Sequence, residues 1–427
     1  MEIEGHFFRH EFGRIVATLT RLFGVRNLAL AEDVTQDAFC RAMETWKLRG
    51  LPENPSAWLM TTAKNRALDI LRRERTVRTF EPELTRFLES EWTLGPTVEE
   101  AFGTHAVKDS QLRMMFSCCH PRLPEEAQIA LVLNILCGFS VREVGQAFVS
   151  SHAAIEKRIT RAKRILAEST RLFDLADVEF PARLSSVLQA LYLLFNEGYH
   201  GSSPEAVVRT DLCLEAMRLI NLVLETAPLA TPQAYALAAL MHLNAARLPT
   251  RLDGSGNLVS FFEQDRSLWD SGLIRKGRAL LDSSASGTEV TEYHIEAMIA
   301  AIHTSADHID GTDWKQIVSL YDVLMTLNPS PVVALNRAIA VAQIEGPERG
   351  LEEVKGIRDL QRISSYPFYP ATLGELELRR RNYSVASAHF STALSLARNP
   401  MECHFLRRRI DACEERFSDE WVSSGAD

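Results

Sequence analysis

The sequence predicts an all-α protein. Alternation of apolar and polar residues, which would indicate strands, is scarce, whereas apolar residues recur at steps of three and four. The opening segment shows this helical spacing in Phe8, Phe12, Ile15, Leu19 and Phe23. Hydrophobic residues make up 46% of the chain and charged residues 24%, the balance of a folded globular protein. At about 150 residues per domain, 427 residues suggest about three domains.

Four segments follow from the pattern along the chain. Seven helices are predicted before residue 172, at about 6–23, 28–47, 55–76, 106–118, 125–137, 141–148 and 152–171. An acidic, proline-containing linker separates the third helix from the fourth, and a second boundary falls near 172–182. We therefore predict modules at 1–78 and 106–172, a linker at 79–105, and a long helical remainder at 183–427.

Composition also predicts the compartment in which the protein is found. No apolar run approaches the ~20 residues that a bilayer span needs, and the N-terminus lacks the pattern of a secretory signal. Seven cysteines, an odd number scattered over a long chain, favour reduced thiols over a disulfide framework. We expect a cytoplasmic protein with no membrane partner.

The formal net charge of −9 hides segments of opposite sign. Residues 1–78 carry 13 basic and 10 acidic residues, and residues 139–171 carry 7 and 3. The segment between them has 4 basic and 9 acidic residues, and residues 172–427 have 23 and 34. Two basic modules flanking an acidic linker suggest two surfaces that face phosphates.

The helix that starts at Asn54-Pro55 carries the first of these surfaces. Asparagine is a favoured N-cap and proline a favoured first residue. The residues predicted to face nucleic acid combine one aromatic ring with hydrogen-bonding and cationic groups, which suits unstacked bases and phosphates. They are Trp58, Thr61, Lys64, Asn65, Arg66, Asp69, Arg72 and Arg73. The alternative is a solvated basic face on which Trp58 anchors the core.

The preceding helix has an acidic face. Asp33, Gln36, Asp37 and Glu44 point to one side at helical spacing, with Phe39 beside them. An acidic face next to a basic helix predicts a protein partner of its own, although charges that only keep a helix soluble would give the same pattern.

A helix-turn-helix is predicted in the second basic module. Ser140 and Glu143 form a capping-box pattern that opens a short helix, and a turn over Val149–Ser151 leads to a longer one. At its N-terminal end we expect His152, Ala153, Glu156 and Lys157 to contact base edges; Arg158, Arg161, Lys163 and Arg164 would contact phosphates. Because Val149 stands where glycine is common, an ordinary helical hairpin is the alternative.

Together the two modules resemble an extracytoplasmic-function sigma factor of the sigma-70 family over about residues 6–171. The first part of the resemblance is Asp33-x-x-Gln36-Asp37-x-Phe39, followed by Trp58-Leu59, Asn65, Asp69, Arg72 and Arg73. The second part is Glu143 with Ile155-x-x-Arg158-x-x-Arg161-Ala162-Lys163. Many relatives carry Thr and Ser where this chain has Ala154 and Lys157, so the promoter sequence is not transferred.

The resemblance implies a mechanism. The first module would be a sigma domain 2 helical bundle, in which Asp33, Gln36, Asp37 and Phe39 bind the clamp of core RNA polymerase and the basic helix melts and reads the minus-ten element. The second would be sigma domain 4, which contacts the polymerase flap and reads the minus-thirty-five element of promoter DNA.

The acidic remainder contains a repeat of about 34 residues. Ser305, Ala338 and Gly374 are spaced by 33 and 36 positions, and Pro228 and Pro329 close two units at matching offsets. This pattern resembles degenerate tetratricopeptide repeats, and with the front half it resembles the sigma-factor subgroup that carries such an extension. We expect a helical-hairpin solenoid that regulates the factor, with a protein partner on its concave face.

Other functions are open at this point. An operator-binding regulator whose solenoid senses a ligand would have the same helix-turn-helix. An enzyme is a third alternative, because polar groups that could line a pocket are dense in two segments: Asn196, Glu197, Tyr199, His200, Arg251, Asp253, Asp265, Arg266 and Asp270. No HExxH, GxSxG or phosphate-loop motif is present, so we expect no catalytic residue, no metal and no cofactor.

One regulatory hypothesis follows from charge. The −11 of residues 172–427 could mask the basic helices, in which case deleting residues 183–427 would strengthen DNA binding.

Overall fold

The computed structural model describes residues 5–74, 104–147, 151–168, 180–201 and 208–424, and the side chains of slightly fewer residues at the segment ends. These residues form helices, and in the part described there is no strand, only one isolated bridge between Leu252 and Leu258. The prediction of an all-α fold is confirmed. None of the described helices is both long and apolar enough to cross a membrane.

The described part of the chain before residue 170 contains seven helices. They are α1 Gly5–Phe23, α2 Leu28–Arg49, α3 Pro55–Glu74, α4 Thr104–Cys118, α5 Glu125–Leu131, α6 Val141–Ala147 and α7 His152–Ala167. Each begins within two residues of the predicted start. Glycines at positive φ end the first two helices, because Gly24 (φ 82°) and Gly50 (φ 81°) adopt a conformation that other residues rarely take.

The segment 125–137 differs from its prediction as one continuous helix. The α-helix stops at Leu131, and Val132–Leu136 form a π-helical turn. The Asn134 amide donates to the carbonyl of Phe139 at 2.8 Å, which holds the chain as it reverses at Gly138 (φ 63°). Helix α1 packs against this turn so closely that a Cβ on Gly13 would overlap the carbonyl oxygen of Leu136.

Eleven further helices follow in the described chain. They are α8 Phe180–Tyr199, α9 Thr210–Leu224, α10 Pro232–Ala245, α11 Ser271–Ser284, α12 Glu292–His303, α13 Trp314–Leu327, α14 Pro331–Glu345, α15 Pro347–Lys355, α16 Phe368–Arg379, α17 Tyr383–Leu396 and α18 Pro400–Ser424. The chain forms two compact units, the first made of residues 1–195 and 214–229, the second of 196–213 and 230–427.

The first unit extends beyond the boundary expected near 172–182. The Arg183 side chain is buried and donates to the Phe116 carbonyl at 3.0 Å. The Phe180 ring packs edge-on against Phe116 at 4.9 Å between centroids. Arg218 of α9 bonds to Glu215 and to Gln111 of α4. The beginning of the predicted extension therefore completes the core around α4.

In the second unit, small residues let consecutive helices approach closely. A Cβ on Gly350 would lie 2.6 Å from the Cβ of Ala342, and a Cβ on Gly374 would lie 2.8 Å from the Phe390 ring. Of the three repeat positions, Ala338 and Gly374 are buried while Ser305 is exposed and accepts a hydrogen bond from Arg278. Successive helix pairs with small buried contacts are typical of helical-hairpin arrays.

Candidate polymerase and nucleic-acid interface

The acidic face of α2 is open to solvent. Asp33, Gln36 and Asp37 are exposed, while Ala31, Val34 and Ala38 on the opposite side are buried. This division follows from the 3.6-residue period of the helix, which separates an apolar stripe from a polar one. The three polar side chains therefore face solvent on one side of α2.

Phe39 and Trp58 lie in an aromatic cluster. The Phe39 ring contacts Phe8 of α1 edge-on at 5.2 Å, and the Trp58 ring contacts the buried Trp46 edge-on at 5.4 Å. Phe39 therefore joins α2 to α1, and Trp58 joins α3 to α2; both are partly buried and also reach the surface. The contact with Trp46 fits the interpretation of Trp58 as a core anchor, and its partial exposure fits the interpretation as an aromatic ring open to a ligand.

The residues of α3 that were predicted to face nucleic acid differ in exposure. The Asn54 Oδ1 atom accepts from the backbone N–H of Ala57 at 3.0 Å, which is the predicted N-cap. Thr61, Asn65 and Asp69 are exposed on one side, and Lys64 and Arg66 are half-buried. The side chains of Arg72 and Arg73 lie outside the described residues.

Helices α2 and α3 are joined by an ion pair between two of the predicted site residues. The Nε atom of Arg66 lies 3.3 Å from the Asp37 carboxylate. Because both side chains are partly solvated, the pair contributes little to stability. It does bring the predicted polymerase face and the predicted nucleic-acid face to adjoining surfaces.

The capping box at the start of α6 is present. The Glu143 carboxylate accepts from the N–H and the hydroxyl of Ser140 at 2.8 Å, and the Glu143 N–H donates back to Ser140 Oγ at 3.2 Å. Residues 148–150, which include most of the predicted turn, lie outside the described part. Ser151 caps α7 by accepting from the Ala154 N–H at 3.3 Å.

The first turn of α7 is exposed, as expected for residues that would contact bases. His152, Ala153, Glu156 and Lys157 are all exposed. Ile155, Ile159, Ala162 and Leu166 are buried on the other side, whereas Ile165 is only half-buried.

The four cations of α7 that were expected to contact phosphates divide into two kinds. Arg161 and Arg164 are exposed, whereas Arg158 pairs with Glu126 of α5 at 2.8 Å. The Lys163 ammonium donates to both oxygens of Glu32 on α2, at 2.6 and 2.8 Å. The structure therefore brings two of the expected phosphate contacts to carboxylates of this chain.

A second long-range pair joins α1 to α6. Arg9 donates to Glu143 at 2.7 Å, and its guanidinium lies 5.4 Å from the centroid of the Phe139 ring. Burial acts to raise the pKa of Glu143, but the bonds from Arg9 and Ser140 outweigh it and lower the pKa to about 2. Sequence analysis missed Glu32, Glu126 and Arg9, because no local pattern signals partners so distant along the chain.

The cysteines near α4 are packing residues. Cys118, Cys119 and Cys137 are buried, and burial raises the pKa of all three thiols, that of Cys119 to about 12. Thiols of this kind are protonated and unreactive at neutral pH. Among the residues described, no cluster of His, Cys, Asp or Glu is arranged to hold a metal ion.

Comparison with known proteins agrees with this arrangement. Residues 7–77 match the family model of sigma-70 region 2, which spans the aromatic cluster, the acidic face of α2 and the whole of α3. This part of the chain belongs to the sigma-70 region 2 family. Sigma-70 region 2 functions in transcription initiation, in association with core RNA polymerase and promoter DNA, and its family is one of transcription factors rather than enzymes.

Two further matches extend over the rest of the chain. Residues 183–285 match a family of unknown function, DUF6596. An uncharacterized protein of Rhizobium meliloti (strain 1021) is 38% identical over 399 residues, which cover 93% of this chain and 92% of that protein. The two proteins belong to one family along nearly their whole length. No solved structure matches the chain significantly.

Proposed function

We propose that this protein is an alternative sigma factor of the extracytoplasmic-function type, controlled by its own C-terminal tetratricopeptide-like extension. The observation that carries the proposal is the coincidence of sigma-70 region 2 with a solvent-exposed acidic face on α2 and an exposed polar stripe on α3. Asp33, Gln36 and Asp37 would bind the polymerase clamp. The stripe from Trp58 to Asp69, continued by Arg72 and Arg73, would hold the melted minus-ten element.

Helices α6 and α7 would form the helix-turn-helix of sigma domain 4. Exposed polar side chains in the first turn of α7 suit contacts with base edges in the major groove, and exposed arginines one and two turns later suit phosphates. Arg161 and Arg164 are exposed and would contact phosphates directly. Arg158 and Lys163 would do so only after their ion pairs with Glu126 and Glu32 break. This module would read the minus-thirty-five element and contact the flap of the polymerase.

Transcription from genomic fragments with purified bacterial core polymerase tests the proposal. The protein should produce new core-dependent transcripts, and the double variant Asp33→Ala, Gln36→Ala should reduce them about tenfold because both side chains lie on the exposed face. The matched control is Asp282→Ala, Gln361→Ala, which removes the same two residue types from exposed positions in the second unit. If both double variants behave alike, the α2 face is not the polymerase contact. Sequence-specific binding of duplex DNA without any transcripts would favour an operator-binding regulator.

Breaking the ion pair between Lys163 and Glu32 is expected to change DNA binding. In Glu32→Gln the ammonium loses its ionic partner and becomes available to phosphate, so affinity for a minus-thirty-five duplex should rise at low salt. The slope of log affinity against log salt should steepen by about 0.9, one additional phosphate contact. Fluorescence anisotropy over a salt series measures both quantities, on a duplex taken from a promoter found in the transcription experiment.

Glu44→Gln is the matched control for that measurement. Glu44 is an exposed acid on the same helix, so its substitution changes the net charge equally without releasing Lys163. Equal slopes for the two variants would show that Lys163 does not reach phosphate.

The structure changes how regulation by the extension should be tested. A chain ended at residue 182 would lose Arg183 and Arg218, which support α4 from within the first compact unit. Loss of activity in that truncation would therefore report on folding as well as on regulation. Substituting exposed acidic residues of 230–427 by neutral ones changes the charge of the extension without removing Arg183 or Arg218. Stronger DNA binding by such variants would support the hypothesis that the acidic extension masks the basic helices.

A further inference from the structure

Two distant segments of the sequence meet in the second compact unit. Tyr199 is the last residue of α8 and His200 follows it, and Arg247 and Arg251 flank the short helical turn Leu248–Thr250. The Arg251 guanidinium stacks on the Tyr199 ring at 4.3 Å and contacts the Nδ1 atom of His200 at 3.3 Å. Tyr199, His200 and Arg251 are among the polar groups that the sequence marked as candidates for lining a pocket, whereas Arg247 was not predicted.

Three arginines share one aromatic cluster. The Arg247 guanidinium lies 4.2 Å from the Phe261 centroid and 5.5 Å from that of Trp269. Arg266 lies 5.1 Å from the Trp269 centroid. Stacking covers the flat faces of these guanidinium groups, and part of their edges donates within the protein: Arg247 to Gln264 at 3.4 Å, and Arg266 to the carbonyls of His303 and Ala306 at 2.9 and 3.0 Å.

The positive charge of this cluster is not neutralised within the described chain. None of Arg247, Arg251 and Arg266 lies within ion-pair distance of a described carboxylate. Arg251 is only 7% exposed, and its Nε atom is buried with no hydrogen-bond partner among the residues described. A buried cation without a counterion is unfavourable, so such a cluster attracts anions.

The nearby aspartates have other partners. Asp253 accepts from the N–H groups of Ser255 and Asn257 within its own turn, and Asp270 caps α11 by accepting from Gly272 and Leu273. Their carboxylates are therefore used to hold the loop in shape rather than to offset the arginines.

His200 offers a further donor. A guanidinium can only donate, so Nδ1 of His200 accepts and the ring proton is on Nε2. His200 is an exposed residue whereas Arg251 is buried, so a ligand would approach Arg251 from the side of His200.

We propose that Arg251, Arg247 and His200 form a binding site for a small oxyanion, either a carboxylate or a phosphate. The arginine edges supply charge-assisted hydrogen bonds and His200 supplies a neutral donor. This site belongs to the second compact unit and does not depend on the role proposed for the first, since its test needs neither DNA nor polymerase.

Calorimetric titration of the full-length protein tests the site. Sodium phosphate and sodium succinate are titrated separately in a chloride buffer of constant ionic strength, and saturable binding of at least one is expected. Binding of phosphate alone would identify a phosphate ligand, and binding of succinate alone a carboxylate. Arg251→Gln should weaken binding about tenfold, and Arg251→Lys should weaken it less because the charge is kept.

The control is Arg275→Gln, an exposed arginine of the same unit whose described contact is with Ser271. If Arg251→Gln does not fold, as judged by circular dichroism, His200→Ala replaces an exposed side chain and should still weaken binding. Absence of saturable binding of both anions by the folded wild-type protein would overturn the proposal. The proposal would also be overturned if folded Arg251→Gln bound the anion as tightly as the wild type. If Arg251→Gln does not fold, the same result with His200→Ala would overturn it.

Discussion

Gly13→Ala is expected to disrupt the first compact unit. The added Cβ would overlap the backbone oxygen of Leu136 and lie 2.9 Å from its carbonyl carbon, so α1 and the π-helical turn must separate. Alanine favours a helix over glycine by about 1 kcal/mol, but a clash with backbone has no side chain that can move aside. We expect a net loss of about 3 kcal/mol in the free energy of unfolding.

Thermal unfolding and hydrogen exchange measure this effect. Exchange should accelerate in α1 and in residues 132–136, which lose their mutual packing. Gly254→Ala is the matched control, since no atom lies within 4 Å of the Cβ it would add. Unchanged protection of both segments in Gly13→Ala would contradict the close packing described for them.

Glu143→Ala is expected to have the second-largest effect. The substitution removes the capping box of α6 and the carboxylate partner of Arg9 together. A carboxyl whose pKa falls from 4.5 to about 2 on folding contributes about 3 kcal/mol of stability at neutral pH. We expect a loss of about that size in the free energy of unfolding.

The sign of the pH dependence follows from the direction of this pKa shift. Because the pKa of Glu143 is lower in the folded state, its contribution is fully present above about pH 4.5 and is lost as the pH falls toward 2. Denaturant unfolding at several pH values should show the difference between wild type and Glu143→Ala shrinking over that range. A difference that stays constant down to pH 2 would exclude the Arg9 pair as its source.

A double substitution distinguishes the contribution of the Arg9–Glu143 ion pair to stability from that of the capping box. Arg9→Gln, Glu143→Gln removes both charges and should be less destabilising than the sum of the single changes, because neither partner is left uncompensated. Glu156→Ala is the control, as Glu156 is an exposed acid on the next helix.

Features encoded within a few residues were predictable. The N-cap at Asn54, the capping box at Ser140 and Glu143, and the positions of the first seven helices agree with the structure. Exposure of the α2 acids and of the first turn of α7 follows from the same helical period. Local hydrogen bonds and a fixed repeat of 3.6 residues leave few alternatives for such features.

The π-helical turn at Val132–Leu136 could not be predicted in this way. An apolar run from Ile129 to Cys137 is equally suited to one straight helix. The observed break relies on the Asn134 bond to Phe139 and on the close approach of α1 at Gly13, a residue more than a hundred positions earlier.

The sequence by itself determined the all-α fold, the two basic modules and the helix faces on which their polar residues lie, because each depends on spacing along one segment. The tertiary structure alone decided which cations stay available. Lys163 and Arg158 bond to Glu32 and Glu126, and Arg251 meets His200 and Tyr199. Charge partners are chosen by proximity after packing, and residues far apart along the chain carry no local signal of that proximity.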